Sequence, residues 1–407
     1  MKNVCIIGGG PAGMMAACAA ALNRDNRVVL LEKNEKLGKK LYITGKGRCN
    51  VTNAADTEDF FSNIIRNPKF LYSALYTFTS ADLTDFFQRQ GLALKTERGG
   101  RVFPESDKSS DVNKALARAL EKSGVTIRLN TRVEGLALNG GRIRGVVVNG
   151  VLEEYDSVIL ATGGLSYPLT GSTGDGYAFA KAAGHAVTDL YPSLVPLETE
   201  GDTARELAGV SLKNVGFKLV QKGKPIFDGM GEMLFTHFGI SGPLVLTASA
   251  YIDMKDKGGM TAEIDLKPAL DEATLDRRIL RDFAKYANKE LSNALQELLI
   301  RRMIPAVLGQ CGIDPEKKAH SVTAEERKSL LKTLKAFRLK VTGIRPVAEA
   351  IITRGGVSVK EVDASTMQSK RIQGLFFAGE VLDTDALTGG FNLQIAFSTG
   401  YLAGLNA

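Results

Sequence analysis

The sequence has no tryptophan, three histidines and four cysteines in 407 residues. Cys5, Cys18, Cys49 and Cys311 form no Cys-x-x-Cys pair, and His185, His237 and His320 lie far apart, so neither a disulfide framework nor a metal cluster is indicated. No run of about 18 uncharged apolar residues is present to serve as a membrane span. The N-terminal apolar run breaks into glycines too early for a signal peptide. The expectation is a cytoplasmic protein with no metal and no membrane association. What is there is chain enough for two or three domains and a net charge of +7, unevenly placed. Residues 266–345 hold 17 Lys and Arg against 10 Asp and Glu, whereas the remainder carries 35 of each.

The chain opens with Val4-Cys5-Ile6-Ile7 running into Gly8-Gly9-Gly10-Pro11-Ala12-Gly13, a buried strand followed by Gly-x-Gly-x-x-Gly. Gly8 permits a tight strand-to-helix turn, Gly10 lets backbone approach a pyrophosphate, and Gly13 lets helix pack on strand. The free amides of the new helix then face the phosphates. Glu32 ends the second apolar run, Arg27 to Leu31, where a carboxylate accepts both ribose hydroxyls. Strand, glycines, helix and acid at this spacing predict an adenine dinucleotide site.

Helices are predicted near Ala81–Gln90 and Ser109–Ser123, then a strand at Val125–Leu129. Short strands follow at Val133–Leu138, Arg142–Val148 and Val151–Tyr155, divided by Asn139-Gly140 and Asn149-Gly150 turns. Ser157–Leu160 is a second buried strand, ending in Ala161-Thr162-Gly163-Gly164. This reads as a parallel sheet with an antiparallel meander inserted. From Tyr191 to Met260, Gly- and Pro-punctuated short strands suggest a β-rich domain. Stretches 275–308 and 324–336 carry apolar residues at helical spacing, with basic residues between them. Leu375-Phe376-Phe377-Ala378-Gly379-Glu380 is a last buried strand with a glycine-acid end, and Asn392–Leu405 reads as a helix. The simplest arrangement is a discontinuous dinucleotide domain over 1–190 and 350–407, a β-rich substrate domain over 191–265 and 337–349, and a basic helical cap over 266–336.

No second Gly-x-Gly-x-x-Gly of comparable quality occurs, and the C-terminal Gly379-Glu380 strand end closes the site as a flavoprotein does around FAD. Glu380 is positioned to hold ribitol hydroxyls. The helix starting near Asn392 is positioned to aim free amides at the flavin edge where negative charge accumulates on reduction. Noncovalent FAD is therefore expected in preference to NAD as the bound cofactor.

Several blocks now resemble one family: Lys39-Lys40 with Thr44-Gly45-Lys46-Gly47-Arg48-Cys49-Asn50-Val51-Thr52-Asn53; Ala161 to Gly164; Gly171 to Tyr177; Phe235-Thr236-His237-Phe238-Gly239-Ile240-Ser241-Gly242-Pro243; and Thr388 to Gln394. Across essentially the whole chain these look like the BaiN/YhiN family of bacterial three-domain flavoproteins. The resemblance implies an α/β fold of the glutathione-reductase and fumarate-reductase type, with a Rossmann-like FAD-binding domain, a β-barrel-like insert and a helical cap. It implies FAD contacts that include, besides the residues above, Ala12, Lys33, Lys40, Gly45, Val133, Thr162, Gly163, Gly390, Phe391 and Leu393. Family activities include reduction of oxo-bile acids, dihydrouridine synthesis on ribosomal RNA and aminoacetone oxidation, so the family fixes the cofactor and leaves the substrate open.

Among single residues, Arg48 is a candidate for phosphate or reduced-flavin charge, with Asn50 and Asn53 as neutral donors. Cys49 lacks a partner cysteine and reads as a packing residue. His237, in a Phe- and Gly-rich stretch, is the candidate proton donor, because saturating an activated C=C bond needs hydride at one carbon and a proton at the other. NAD(P)H is the expected electron donor. The located charge favours ribosomal RNA over an enone or an amine as substrate, with Arg277, Arg278, Arg301 and Arg302 as candidate phosphate contacts. An RNA-binding factor in which FAD is structural is the non-enzymatic alternative.

Overall fold

The computed structural model describes residues 1–256 and 258–407. The chain divides into two compact units, Met1–Ser193 with Val347–Ala407, and Leu194–Pro346.

In the first unit the apolar N-terminal run forms strand Lys2–Ile7, buried from Val4 onward. It lies in a parallel sheet between Asn26–Leu31 on one side and Ser157–Leu160 on the other, with Thr126–Arg128 and Leu375–Phe377 at the two edges. The connection to Asn26–Leu31 leaves the first strand on one side, and Ser157–Leu160 pairs on the other. The carboxyl end of Lys2–Ile7 is therefore the topological switch point, where such sheets hold ligands. Helix Pro11–Ala20 packs there against the C-terminal helix Phe391–Asn406 through small residues. A Cβ on Gly400 would lie 2.2 Å from the Ala12 carbonyl oxygen, and one on Gly404 2.3 Å from that of Ala16.

The antiparallel meander Val133–Asn139, Arg142–Val148 and Val151–Glu154 forms a separate sheet. Its second turn is the expected Asn149-Gly150, both left-handed at φ 50° and 71°. The first turn is displaced by one residue: Asn139 pairs with Arg142, leaving Gly140-Gly141 at the tip. A further small sheet, Thr52–Asn53 with Leu94–Glu97 and Arg101–Pro104, lacked a sequence signal strong enough to assign.

The second unit holds a closed six-stranded barrel of Leu197–Thr199, Gly239–Ser241, Lys224–Thr236, Ser211–Gln221, Met260–Asp265 and Phe337–Ile344. Where only short strands were expected, a long hairpin forms from Ser211–Gln221 and Lys224–Thr236, turning at Lys222-Gly223. Gly229 and Gly231 lie inside the second arm, and a Cβ on Gly229 would come within 2.8 Å of the Phe227 ring. Between the last two barrel strands in sequence come helices Glu272–Lys285, Met303–Cys311 and Ala324–Lys335. The periodic stretch 275–308 is therefore broken rather than continuous. Pro305 is tolerated only in a first turn, which makes the helix begin at Met303.

Candidate functional site

Four loops converge at the carboxyl edge of the parallel sheet, because each continues its strand's hydrogen-bond ladder. The Gly8 amide donates to Leu31 O at 2.9 Å, Glu32 to Arg128 O at 3.0 Å, Ala161 to Ile7 O at 2.9 Å, and Ala378 to Leu160 O at 3.0 Å. Gly8 has φ 107°, and a Cβ there would meet Ala161 O at 2.5 Å; a Cβ on Gly13 would meet Gly8 O at 1.9 Å. Gly10 is different, since nothing lies within 4 Å of the position its Cβ would occupy. The start of helix Pro11–Ala20 thus has open space in front of it and no capping side chain on its amides, the arrangement a pyrophosphate requires.

Glu32 is 8% exposed and accepts the Gly9 amide at 2.7 Å with one oxygen and the Asn34 amide at 2.8 Å with the other. It both braces the glycine loop and presents a carboxylate at the end of its strand. Lys33 turns to Asp175 at 2.7 Å. The Thr131 amide donates to Glu32 O at 2.9 Å, which starts Val133 beside the same edge. Gly163 is left-handed at φ 74°. The Thr162 hydroxyl is buried without a hydrogen-bond partner among the described residues and is turned to Gly176, whose missing Cβ would lie 2.0 Å from it. Open backbone amides and a buried acid at one switch point fit an adenine dinucleotide.

On the far side, Gly379 has φ 73°, with Ala12 Cβ 2.7 Å from where its own would be. Glu380 departs from the expectation of a carboxylate open to ribitol. One oxygen accepts the Thr353 amide at 2.8 Å and the Ser166 hydroxyl at 3.1 Å, and the other takes the Lys40 ammonium at 2.8 Å. Its first role is to tie four chain segments together. Neither Ser166 nor Thr353 was visible from sequence, because they lie 214 and 27 residues from Glu380 with no local motif linking them.

Helix Phe391–Asn406 starts from Gly390, left-handed at φ 102° and pressed against Thr52 O, again with no capping side chain. The amides of Phe391, Asn392 and Leu393 lead that helix. The Asn392 side chain does not face outward: it donates to Ala386 O at 2.7 Å and accepts the Ala386 amide at 2.9 Å, closing the loop before the helix.

The loop from Gly38 to Asn53 keeps left-handed backbone at Gly45, Lys46, Gly47 and Cys49. Arg48 is not available as expected: its guanidinium binds Glu97 and Asp107 and lies 4.2 Å over the Phe103 ring. That pairing holds the Glu97 carboxyl below the usual carboxylate range. Asn50 accepts the Val102 amide at 3.1 Å, and Asn53 donates to Gly99 O and Gly389 O, each at 3.0 Å. These asparagines are structural braces. Cys49 is buried, and burial pushes its thiol up to about 12, which suits a packing residue.

In the second unit His237 is exposed in the turn between Lys224–Thr236 and Gly239–Ser241, edge-on to the Phe238 ring at 5.0 Å. Of the candidate phosphate contacts, Arg277 and Arg301 are exposed. Arg278 is instead paired at 2.7 Å with the buried Asp282, one helical turn on. Arg302 donates to Glu206 O at 2.6 Å and Ala208 O at 3.1 Å, so it clamps the segment before the long hairpin.

Against known proteins, the model of the HI0933-like protein Rossmann domain matches residues 2–406. The 3-dehydro-bile acid delta(4,6)-reductase of Clostridium scindens is 32% identical over 409 residues, 99% of this chain and 98% of the relative. The ribosomal RNA dihydrouridine synthase of Escherichia coli is 31% identical over 399 residues, 97% of this chain and 95% of the relative. In structure the chain is similar to the 3-ketosteroid delta1-dehydrogenase of Sterolibacterium denitrificans, with TM-score 0.52 and 15% identity over 99% of each chain. The relatives are of the kinds the motif resemblance implied, and the first unit is a Rossmann-like FAD-binding domain. With a match across nearly its entire length, the chain belongs to the HI0933-like Rossmann family.

Proposed function

We propose that this protein is an FAD-dependent oxidoreductase that draws hydride from NAD(P)H and reduces a C=C bond conjugated with a carbonyl, its substrate being uridine in ribosomal RNA. The observation that carries the cofactor is the open face at Gly10 with buried Glu32 beside it at one switch point. Glu32 and the amides of Ala12 and Gly13 would hold the adenosine and pyrophosphate half, and the amides of Phe391, Asn392 and Leu393 the flavin's pyrimidine edge. When bound, FAD supplies the two-electron relay between donor and substrate carbon. Lys40, Ser166 and Thr353 keep Glu380 and its glycine turn in place. His237 is assigned as the proton donor.

The uridine reading rests on the charge of residues 266–345 and on the exposed Arg277 and Arg301. A second reading, a free enone as substrate, is favoured by how many of the segment's cations already hold a carboxylate: Lys285 pairs with Glu297, Lys317 with Glu326, Arg327 with Asp276 and Lys335 with Asp265. Mass spectrometry of uridine-derived nucleosides in ribosomal RNA from a strain lacking the gene separates the two. Loss of a dihydrouridine supports the first reading, and an unchanged nucleoside profile sinks it. Anaerobic bleaching of the purified flavin by NAD(P)H, and not by an amine, is expected of a reductase and would not be seen in an amine oxidase.

A further inference from the structure

Glu32 follows strand Asn26–Leu31 directly, and the chain turns there so that Asn34 folds back onto its carboxylate. Asn34 Nδ2 donates to Glu32 Oε1 at 2.7 Å, and the Asn34 backbone amide donates to the same oxygen at 2.8 Å. Among the described residues Oε2 accepts the Gly9 amide alone, at 2.7 Å. The neighbours of the Asn34 side chain dictate its orientation. Its nitrogen faces two acceptors, Glu32 Oε1 and Thr170 O at 3.1 Å, and its oxygen faces the Lys39 ammonium at 3.3 Å, so a flipped amide would oppose like partners at all three. Gly171 leaves the space for it: left-handed at φ 103°, it would carry a Cβ 2.5 Å from Asn34 Nδ2. Lys33 holds the next residues of that loop, through Thr173 at 2.5 Å and Asp175 at 2.7 Å.

An ionised carboxylate offers about four lone-pair sites, two on each oxygen. With two donors on Oε1 and one on Oε2, a single site is left, and it is on Oε2. Gly9 keeps that oxygen approachable, since a Cβ there would stand 3.0 Å from it. A ribose presents two adjacent hydroxyls, and donation by both would need one site more than remains. Withdrawing the Asn34 amide to admit the second would break its bonds to Glu32 and Thr170 together. We propose that Asn34 restricts Glu32 to one hydroxyl of the adenosine ribose, received on Oε2, and thereby sets which of the two the protein reads. Asn34 is on this account a positioning residue that acts through Glu32. The inference deepens the FAD reading and rests on it. It replaces the two-hydroxyl contact expected from sequence, because the spacing that marks Glu32 says nothing of a side chain two residues on that fills one of its oxygens.

The test titrates the whole apoprotein with FAD and with its two analogues lacking either the 2′- or the 3′-hydroxyl of the adenosine ribose, followed by flavin fluorescence. A hydrogen bond to a charged group is worth about 10- to 150-fold in affinity, and one to a neutral group roughly 2- to 10-fold. One analogue is therefore expected to bind wild type about 10- to 150-fold more weakly than FAD, and the other to lose less than about tenfold. In Asn34→Ala the backbone amide still donates to Oε1 while the side-chain site is freed, so the second analogue should now fall into the larger range relative to FAD on the same variant. A merely structural Asn34 would lower all three affinities by one factor and leave their ratios as in wild type, and that result overturns the inference. Losses in the larger range for both analogues on wild type overturn it as well, since both hydroxyls would then reach the carboxylate. If both analogues bind as FAD does, Glu32 is not the ribose acceptor and the inference falls with that assignment. A wild type that binds no FAD overturns the cofactor reading itself.

Discussion

At the scale of single residues, Glu32 carries two duties that the sequence pattern presents as one. Its carboxylate is proposed as the ribose acceptor from its position, and it also accepts the Gly9 amide. Glu32→Ala therefore removes a charge-assisted hydrogen bond of about 1.5–3 kcal/mol, a loss of roughly 10- to 150-fold in FAD affinity. It also leaves a buried amide unpaired, so the thermal midpoint of the cofactor-free protein should fall too. Fluorescence titration of the apoprotein with FAD measures the first effect and calorimetry the second; unchanged affinity would mean that the carboxylate serves only the loop. His185 illustrates a residue with no part in the chemistry. It is buried, bonded through Nε2 to Ser369 at 2.8 Å and set edge-on to Phe377, and burial pushes its imidazole below the usual range. The unfolded chain then binds more protons than the folded one just below pH ~6.5, so stability rises with pH through that window and is lost as pH falls. Urea midpoints should be lower at about pH 5.5 than at about pH 7.5, and His185→Gln should flatten the difference.

At the scale of elements, the contact between helices Pro11–Ala20 and Phe391–Asn406 decides whether two free helix starts can serve one ligand. Replacing glycine by alanine in an exposed helix stabilises by about 1 kcal/mol. At Gly400 the sign reverses, because the added methyl would stand 2.2 Å from the Ala12 carbonyl oxygen. Overpacking of this kind costs typically about 1–3 kcal/mol, and any relief by separation of the helices displaces Ala12 from the glycine loop. Gly400→Ala is expected to lower both the thermal midpoint and FAD affinity; a raised midpoint would mean that the crossing is looser than described. The glycine loop and Glu32 were legible because turn, helix start and acid lie within one βαβ unit. The Gly400–Ala12 crossing was not, since nothing local marks a glycine that meets a helix from the opposite end of the chain. The Lys40–Glu380–Ser166 tie and the closure of the barrel by Leu197–Thr199 on Phe337–Ile344 are hidden for the same reason. Arg278–Asp282 is the opposite case, an i,i+4 pair visible in the sequence that a count of charges passes over.

At the scale of the whole molecule, the question is what a net charge of +7 confined to one segment does. Counting basic residues treats Arg277, Arg278, Arg301 and Arg302 as equivalent, and the structure separates them. Arg278 neutralises a buried carboxylate and Arg302 holds two backbone carbonyls, so reversing either should damage the second unit itself. Placing glutamate one turn from buried Asp282 adds like-charge repulsion and leaves that carboxylate only the longer contact with Arg281 at 3.7 Å, so the second unit should lose stability. Arg277 and Arg301 are exposed, and their reversal should leave folding and FAD content intact. If ribosomal RNA is the substrate, Arg277→Glu with Arg301→Glu should weaken RNA binding. It should also reduce the slope of log K against log salt by about 0.7 to 0.9 for each phosphate no longer neutralised. Filter binding of a ribosomal RNA fragment across a salt series measures both. A protein built for a small enone would show no RNA affinity even at low salt and a turnover indifferent to the two reversals. Because Arg278→Glu and Arg302→Glu disturb the fold by a route independent of RNA, they serve as the control that distinguishes loss of binding from loss of structure.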